Sequence, residues 1–176
     1  MPLAMSQGFN PRPRISLPAP LSVGLWGRNE VLDFELQEWV RPREVEQRLS
    51  SRLPEGFALN SLRTLPKKPN RRPRQFSYRV PLEGGHPIDA GAMKKLLNAD
   101  EAIVRRKKKK KSKTVNIAPF IQELRLRNGA LHMLLEMTDR GTARPEEVLE
   151  TLGCEPGSDY NLGQIERTRV NLSSSL

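Results

Sequence analysis

From Glu30 to Trp39 the chain reads EVLDFELQEW, where Val31, Asp33, Glu35 and Gln37 alternate with Leu32, Phe34, Leu36 and Glu38. A period of two is the mark of a strand with one wet face. The preceding stretch, residues 14–25, predicts a partner strand, with WGRNE as the turn between them. Pro18 and Pro20 lack an N–H, so that strand belongs at an edge or carries a bulge. Pro42 and Glu44 then open a helix whose stripe is Val45, Leu49 and Leu53, and Pro54 and Gly56 stop it. Residues 57–65 predict a returning strand.

The second half repeats such signals. FSYRVPL (76–82) predicts a strand, and 87–98 a helix with Ile88, Ala92 and Leu96 on one face. The stretch AIVRRKKKKKSKTVNIAPF predicts two strands around a basic turn. IQELRLRNGALHMLLEM is a hairpin, because Asn128-Gly129 suits a type I′ turn between Ile121, Leu124 and Leu126 and the apolar run from Leu131 to Met137. Pro145, Glu146 and Glu147 open a last helix within 141–153, which Gly153 stops. Residues 163–172 alternate imperfectly and predict a final strand.

The expected fold class is α+β. Strand, helix, strand, inserted hairpin arm, strand, helix, strand is a split βαβ, ferredoxin-like order. The first half is the same order without its first strand and helix. Element order therefore predicts tandem ferredoxin-like halves: an incomplete one over 1–65, a basic linker over 66–75, a second over 76–172 and a tail over 173–176. The incomplete half is expected to leave an apolar face and edge uncovered.

Charge narrows the function classes. The formal net charge is +10 over 176 residues. KKPNRRPR contributes Lys67, Lys68, Arg71, Arg72 and Arg74; RRKKKKKSK contributes Arg105, Arg106, Lys107, Lys108, Lys109, Lys110, Lys111 and Lys113. Outside these segments the chain holds 17 basic and 20 acidic residues. A near-neutral body with two positive segments points to a polyanion such as RNA. On duplex nucleic acid each phosphate neutralised adds about 0.9 to the salt slope. Aromatic residues scarcely interleave with the charge, which argues against a stacking platform for single strands.

Other chemistry is sparse. The turn SQGFNPRPR could present Gln7, Gly8, Asn10, Arg12 and Arg14 to an anion, or simply use Gly8 and its prolines to hold a tight bend. His86 and His132 are the only histidines; each could act as a base, or be a surface or packing residue. Cys154 stands alone, so an internal disulfide is excluded and a cysteine-based metal site is not expected. No metal, cofactor or catalytic residue is expected. No apolar run of membrane-spanning length and no secretory signal appear, so a cytoplasmic protein is expected.

Four stretches occur in order: MPLAMSQGFNPRPRISLPAPLSVGL, LPEGF (53–57), KTVNIAPFIQELRL (113–126) and GTARPEEVLETLG (141–153). Together they resemble a bacterial domain of unknown function that is linked to radical SAM proteins, fused to them or encoded beside them. Members of that family usually carry a strand and an Arg- and Leu-rich helix ahead of the SQGF turn. They favour His where this chain has Asn10 and Arg12, and Asp-Ile-Arg-Pro where it has Asn116-Ile117-Ala118-Pro119. One cysteine cannot hold the iron–sulfur cluster of a radical SAM enzyme. The resemblance itself implies little about activity, but the segregated charge leads to the expectation of an accessory module that binds RNA or a ribonucleoprotein and presents it to a radical SAM partner. Two alternatives stand beside it: an RNA-processing enzyme of duplicated ferredoxin-like type, and an interaction domain completed by a partner.

Overall fold

The computed structural model of the chain describes residues 2–65, 71–83, 88–108 and 111–173, with the backbone alone at Lys108 and Lys111. In chain order its elements are β1 (Ile15–Ser16), β2 (Trp26–Gly27), β3 (Asp33–Phe34), α1 (Pro42–Ser50), β4 (Pro73–Pro81), α2 (Ala90–Leu97), β5 (Ile103–Lys108), β6 (Lys111–Asn116), β7 (Ile121–Arg127), β8 (Ala130–Glu136), α3 (Pro145–Thr151) and β9 (Glu166–Leu172). The fold is mixed α+β, with three α-helices and three sheets among the described residues. It divides into a smaller unit of residues 2–18, 31–65 and Arg71, and a larger unit of Ala19–Glu30 and Arg72–Ser173.

In the larger unit the sheet order is β2-β9-β4-β8-β7. β2 lies parallel to β9, and every other neighbouring pair is antiparallel. Phe76, Tyr78 and Val80 of β4 and Leu131, Met133 and Leu135 of β8 point to one face. There they form one buried cluster with Leu96 of α2 and Val148 and Leu149 of α3. Alternation on β4 and β8 thus puts one face on the core and leaves the other open. Asp89 caps α2 by accepting from the Gly91 amide at 3.0 Å. Asn128 (φ 50°) and Gly129 (φ 68°) both take the left-handed conformation that a type I′ turn demands.

The imperfect period of residues 163–172 has a geometric cause. On β9, Ser77 pairs with Arg169 while Tyr78 pairs with Arg167, so Thr168 is an extra residue. This bulge lets Arg167 and Val170, three apart, face the same core. Arg167 is 3% exposed. Its guanidinium lies 5.1 Å from the Phe76 ring centre, donates Nε–H to Glu30 at 2.8 Å, makes a second bond to that carboxylate, and reaches the Ala19 carbonyl at 2.5 Å. Burial opposes its charge, but the Glu30 carboxylate outweighs this and holds the pKa above the ordinary arginine value.

That clamp explains where the sequence expectation fails. Residues 14–25 do not form one strand: β1 ends at Ser16, and Ala19–Glu30 belongs with the larger unit. WGRNE is not a plain turn, since Trp26 donates to the Ile165 carbonyl at 2.9 Å and Arg28 to that of Arg167 at 3.0 Å. No strand forms over 57–65. Beside β3, backbone groups of Glu35 and Gln37 bond to Ala4, Arg14 and Pro2. β4 begins at Pro73, inside the stretch expected to be a linker.

In the smaller unit β1 pairs antiparallel with β3, and residues 2–5 bridge to Leu36 and Pro13. Pro42 starts α1 as expected, and Val45 faces inward.

Candidate nucleic-acid interface

The basic run folds as the two-stranded ribbon β5–β6, paired from Ile103↔Asn116 to Lys108↔Lys111. Directly opposed residues share a face. Ile103, Arg105 and Lys107 lie with Ser112 and Thr114 on an exposed face. Val104 and Val115 lie on the other and pack against the core cluster. Arg105 donates to the Ser112 hydroxyl at 3.1 Å.

Arg106 shares the inner face with Val104 and is not presented to solvent as its neighbours are. Its Nε donates to Glu147 Oε1 at 2.6 Å, and one terminal nitrogen donates to Oε2 and to the Thr142 carbonyl, both at 2.7 Å. Glu147 is 6% exposed and also accepts from the Arg144 amide at 2.9 Å, closing the N-terminus of α3. The bidentate bond to Glu147 raises the Arg106 pKa, against the opposing effect of burial. Arg106 therefore anchors the ribbon, while Arg105 and Lys107, with Lys113 on the inner face but exposed, carry accessible charge. Lys109 and Lys110 lie outside the described residues, and Lys108 and Lys111 continue the strands.

The second basic segment is less uniform. Lys67 and Lys68 lie outside the described residues. Arg71 is half-buried and faces Asp33 at 3.7 Å in the smaller unit. Arg72 and Arg74 are exposed on the approach to and start of β4. Their backbones are engaged: Arg72 exchanges bonds with Ser173, and the Arg74 carbonyl accepts from Met137.

The SQGF turn belongs to the smaller unit. Ser6 closes it twice, its amide donating to the Arg12 carbonyl at 2.8 Å and its hydroxyl accepting from the Arg12 amide at 3.0 Å. Gly8 has φ 127°, and no atom lies within 4 Å of where a Cβ would sit, so glycine serves conformation rather than space. Gln7, Asn10 and Arg12 are exposed, and Phe9 is fully exposed at the tip. Arg14 donates to both Glu35 carboxylate oxygens at 3.1 and 3.0 Å.

His86 lies outside the described residues. His132 sits on β8, directly opposite Arg79 of β4 and Arg125 of β7. Cys154 is buried, which pushes its thiol pKa up, and Tyr160, also buried, is pushed up to about 12. Among the described residues no three His, Cys, Asp or Glu side chains gather as metal ligands. No helix among them is long and apolar enough to cross a membrane. What the sequence reading passed over is the open sheet face: Arg79, Arg125, Arg127 and Arg169, scattered along the chain, meet only through strand register. Their signal was present in LRLR and RTR, where charge alternates with apolar or small residues.

These features define an α+β protein with an anchored basic ribbon and no metal cluster among the described residues. The chain belongs to DUF2344, a family of uncharacterized proteins conserved in bacteria, whose model matches residues 1–145. No curated protein and no solved structure matches it.

Proposed function

We propose that this protein is a cytoplasmic accessory module that binds RNA or a ribonucleoprotein through its phosphates. The observation that carries the reading is the ribbon β5–β6. It has no acidic residue from Arg105 to Lys113, and Arg106–Glu147 ties it to α3 while Arg105, Lys107 and Lys113 remain exposed. Tethering lowers the entropy lost when those cations engage a ligand. The segment from Lys67 to Arg74 adds further charge, and Gln7, Gly8, Asn10, Arg12 and Arg14 form a lesser candidate for an anionic group. We read the larger unit, with strand order β9-β4-β8-β7 and the ribbon inserted before β7, as ferredoxin-like, and the smaller unit as its incomplete counterpart. A radical SAM protein as the recipient of the bound RNA rests on the resemblance of the four stretches alone.

Filter binding of tRNA or rRNA fragments at rising salt tests the proposal. Affinity should be measurable at low salt and fall linearly on a log–log plot, losing about 0.7–0.9 in slope per phosphate contact removed. Arg105→Gln with Lys107→Gln should lower that slope. Absent binding at low salt, or binding that ignores salt, would sink the reading.

A further inference from the structure

The larger unit's helices α2 and α3 contribute to the buried cluster on one face of its sheet. Register places a second set of residues on the other face. Ser77 pairs with Arg169 and Leu134, Arg79 pairs with His132, and His132 pairs with Arg125, so these side chains stand on the open side. Arg127, two residues beyond Arg125, points the same way. Arg79 and His132 are half-buried, while Arg125, Arg127 and Arg169 are exposed.

Directly opposed residues have Cβ atoms about 5 Å apart and diagonal neighbours about 7–8 Å. Arg169, Arg79, His132 and Arg127 therefore step across the sheet as diagonal, opposed and diagonal neighbours. The track is about 20 Å long by those spacings. Acids nearby are already bonded: Glu123 to Arg125, and Glu166 to Arg28. Among the described residues Arg79, Arg127 and Arg169 form no ion pair, although Glu166 of β9 is the register partner of Arg79. Arg79 stands between His132 of β8 and Glu166 of β9, and Glu166 is already shared with Arg28, so the acids of this face only partly balance its arginines. Arg127 and Arg169 stand exposed at the two ends of the row, and an anion lying over it would balance their charge.

We infer that this open face is a second binding surface, on which Arg79, Arg127, Arg169 and His132 hold the phosphate backbone of an RNA strand. The length of the track selects the ligand class. One phosphate cannot reach both ends, so the ligand carries several in series. Phe76 and Tyr78, the aromatics of β4, point into the core. The face therefore offers donors to phosphates rather than rings to bases, and binding there is indifferent to sequence. This rests on the RNA reading above but uses none of the ribbon's residues.

The test compares the whole chain with Arg79→Gln/Arg169→Gln and with the ribbon variant Arg105→Gln/Lys107→Gln, using fluorescence anisotropy of a labelled mixed-sequence RNA oligonucleotide across a salt series. The sheet variant is expected to lower the salt slope by about 1.4, and to add to the effect of the ribbon variant. Its urea midpoint is expected to stay within a few tenths of a molar of that of the unaltered chain, which a purely structural role for these arginines would not produce. A sheet variant that binds with unchanged slope and affinity overturns the second surface and leaves the ribbon reading intact. A ribbon variant without effect beside a weakened sheet variant upholds the surface and overturns the ribbon. No binding by the unaltered chain at low salt overturns the RNA reading, and the surface with it.

Discussion

Arg167 is where a single side chain decides the most. It is nearly sealed from water, and its bonds reach Glu30, the Ala19 carbonyl and the Phe76 ring. Removing Glu30 would leave a buried guanidinium without its counter-charge, which costs more than the pair itself contributes. Glu30→Ala is therefore expected to destabilise the larger unit by about 3 kcal/mol, read as a lower urea midpoint at unchanged slope. A midpoint within a few tenths of a molar of the parent would show that water replaces the carboxylate. Arg106 repeats the theme with Glu147. Arg106 lies in a run read as phosphate contacts and Arg167 in a strand of imperfect period, and both are structural because an acid from a distant part of the chain meets them. Neither partner, 137 and 41 residues away, was legible from local pattern.

Among the elements, those with complete local signals were readable. The hairpin β7–β8 needed only Asn128-Gly129 between two apolar strands, α3 only Pro145 with its acidic first turn, and α1 only Pro42 and the Val45 stripe. Gly129→Ala tests the turn. No atom would obstruct the new methyl, so its cost is that of the left-handed backbone alone, about 1–2 kcal/mol. Thermal unfolding should show that loss; no loss would mean that the turn shifts to another type at little expense. Where the period of two breaks within a strand, a bulge is the reason. Thr168 and Gln122 each add a residue, so inward positions fall three apart on β9 and β7. Read along the chain, a spacing of three breaks the strand period and mimics a turn of helix. The stretch 57–65 had suitable residues, but the Glu35 amide and carbonyl and the Gln37 amide beside β3 bond to residues nearer the N-terminus instead.

On the scale of the whole molecule, the two units differ in how much they bury. The larger holds the contiguous core, from Phe76 through Leu149 to Val170. In the smaller, Val45 is the one apolar residue buried among the described ones, while Phe9, Trp39 and Phe57 are at least 70% exposed. Little burial means little resistance to local opening. Native-state hydrogen exchange should find the amides of β4, β8 and β9 exchanging only with global unfolding. Those of β1, β3 and α1 should exchange through openings of much lower free energy. Equal protection in both units would contradict this.

By itself, the sequence determined the α+β class, the helices and most strands of the second half, the type I′ hairpin, and the two concentrations of positive charge. Each of these rests on neighbours within a few residues: a period, a cap, a turn dipeptide, an unbroken run of like charge. Only the tertiary structure decided which charges face water. Pairing β5 with β6 sorted the basic run into an anchored Arg106 and exposed Arg105 and Lys107. Pairing β9, β4, β8 and β7 brought Arg169, Arg79, His132 and Arg125 onto one open face. Register is set by long-range hydrogen bonds and core packing, and a shift of one residue would send every one of those side chains to the opposite face.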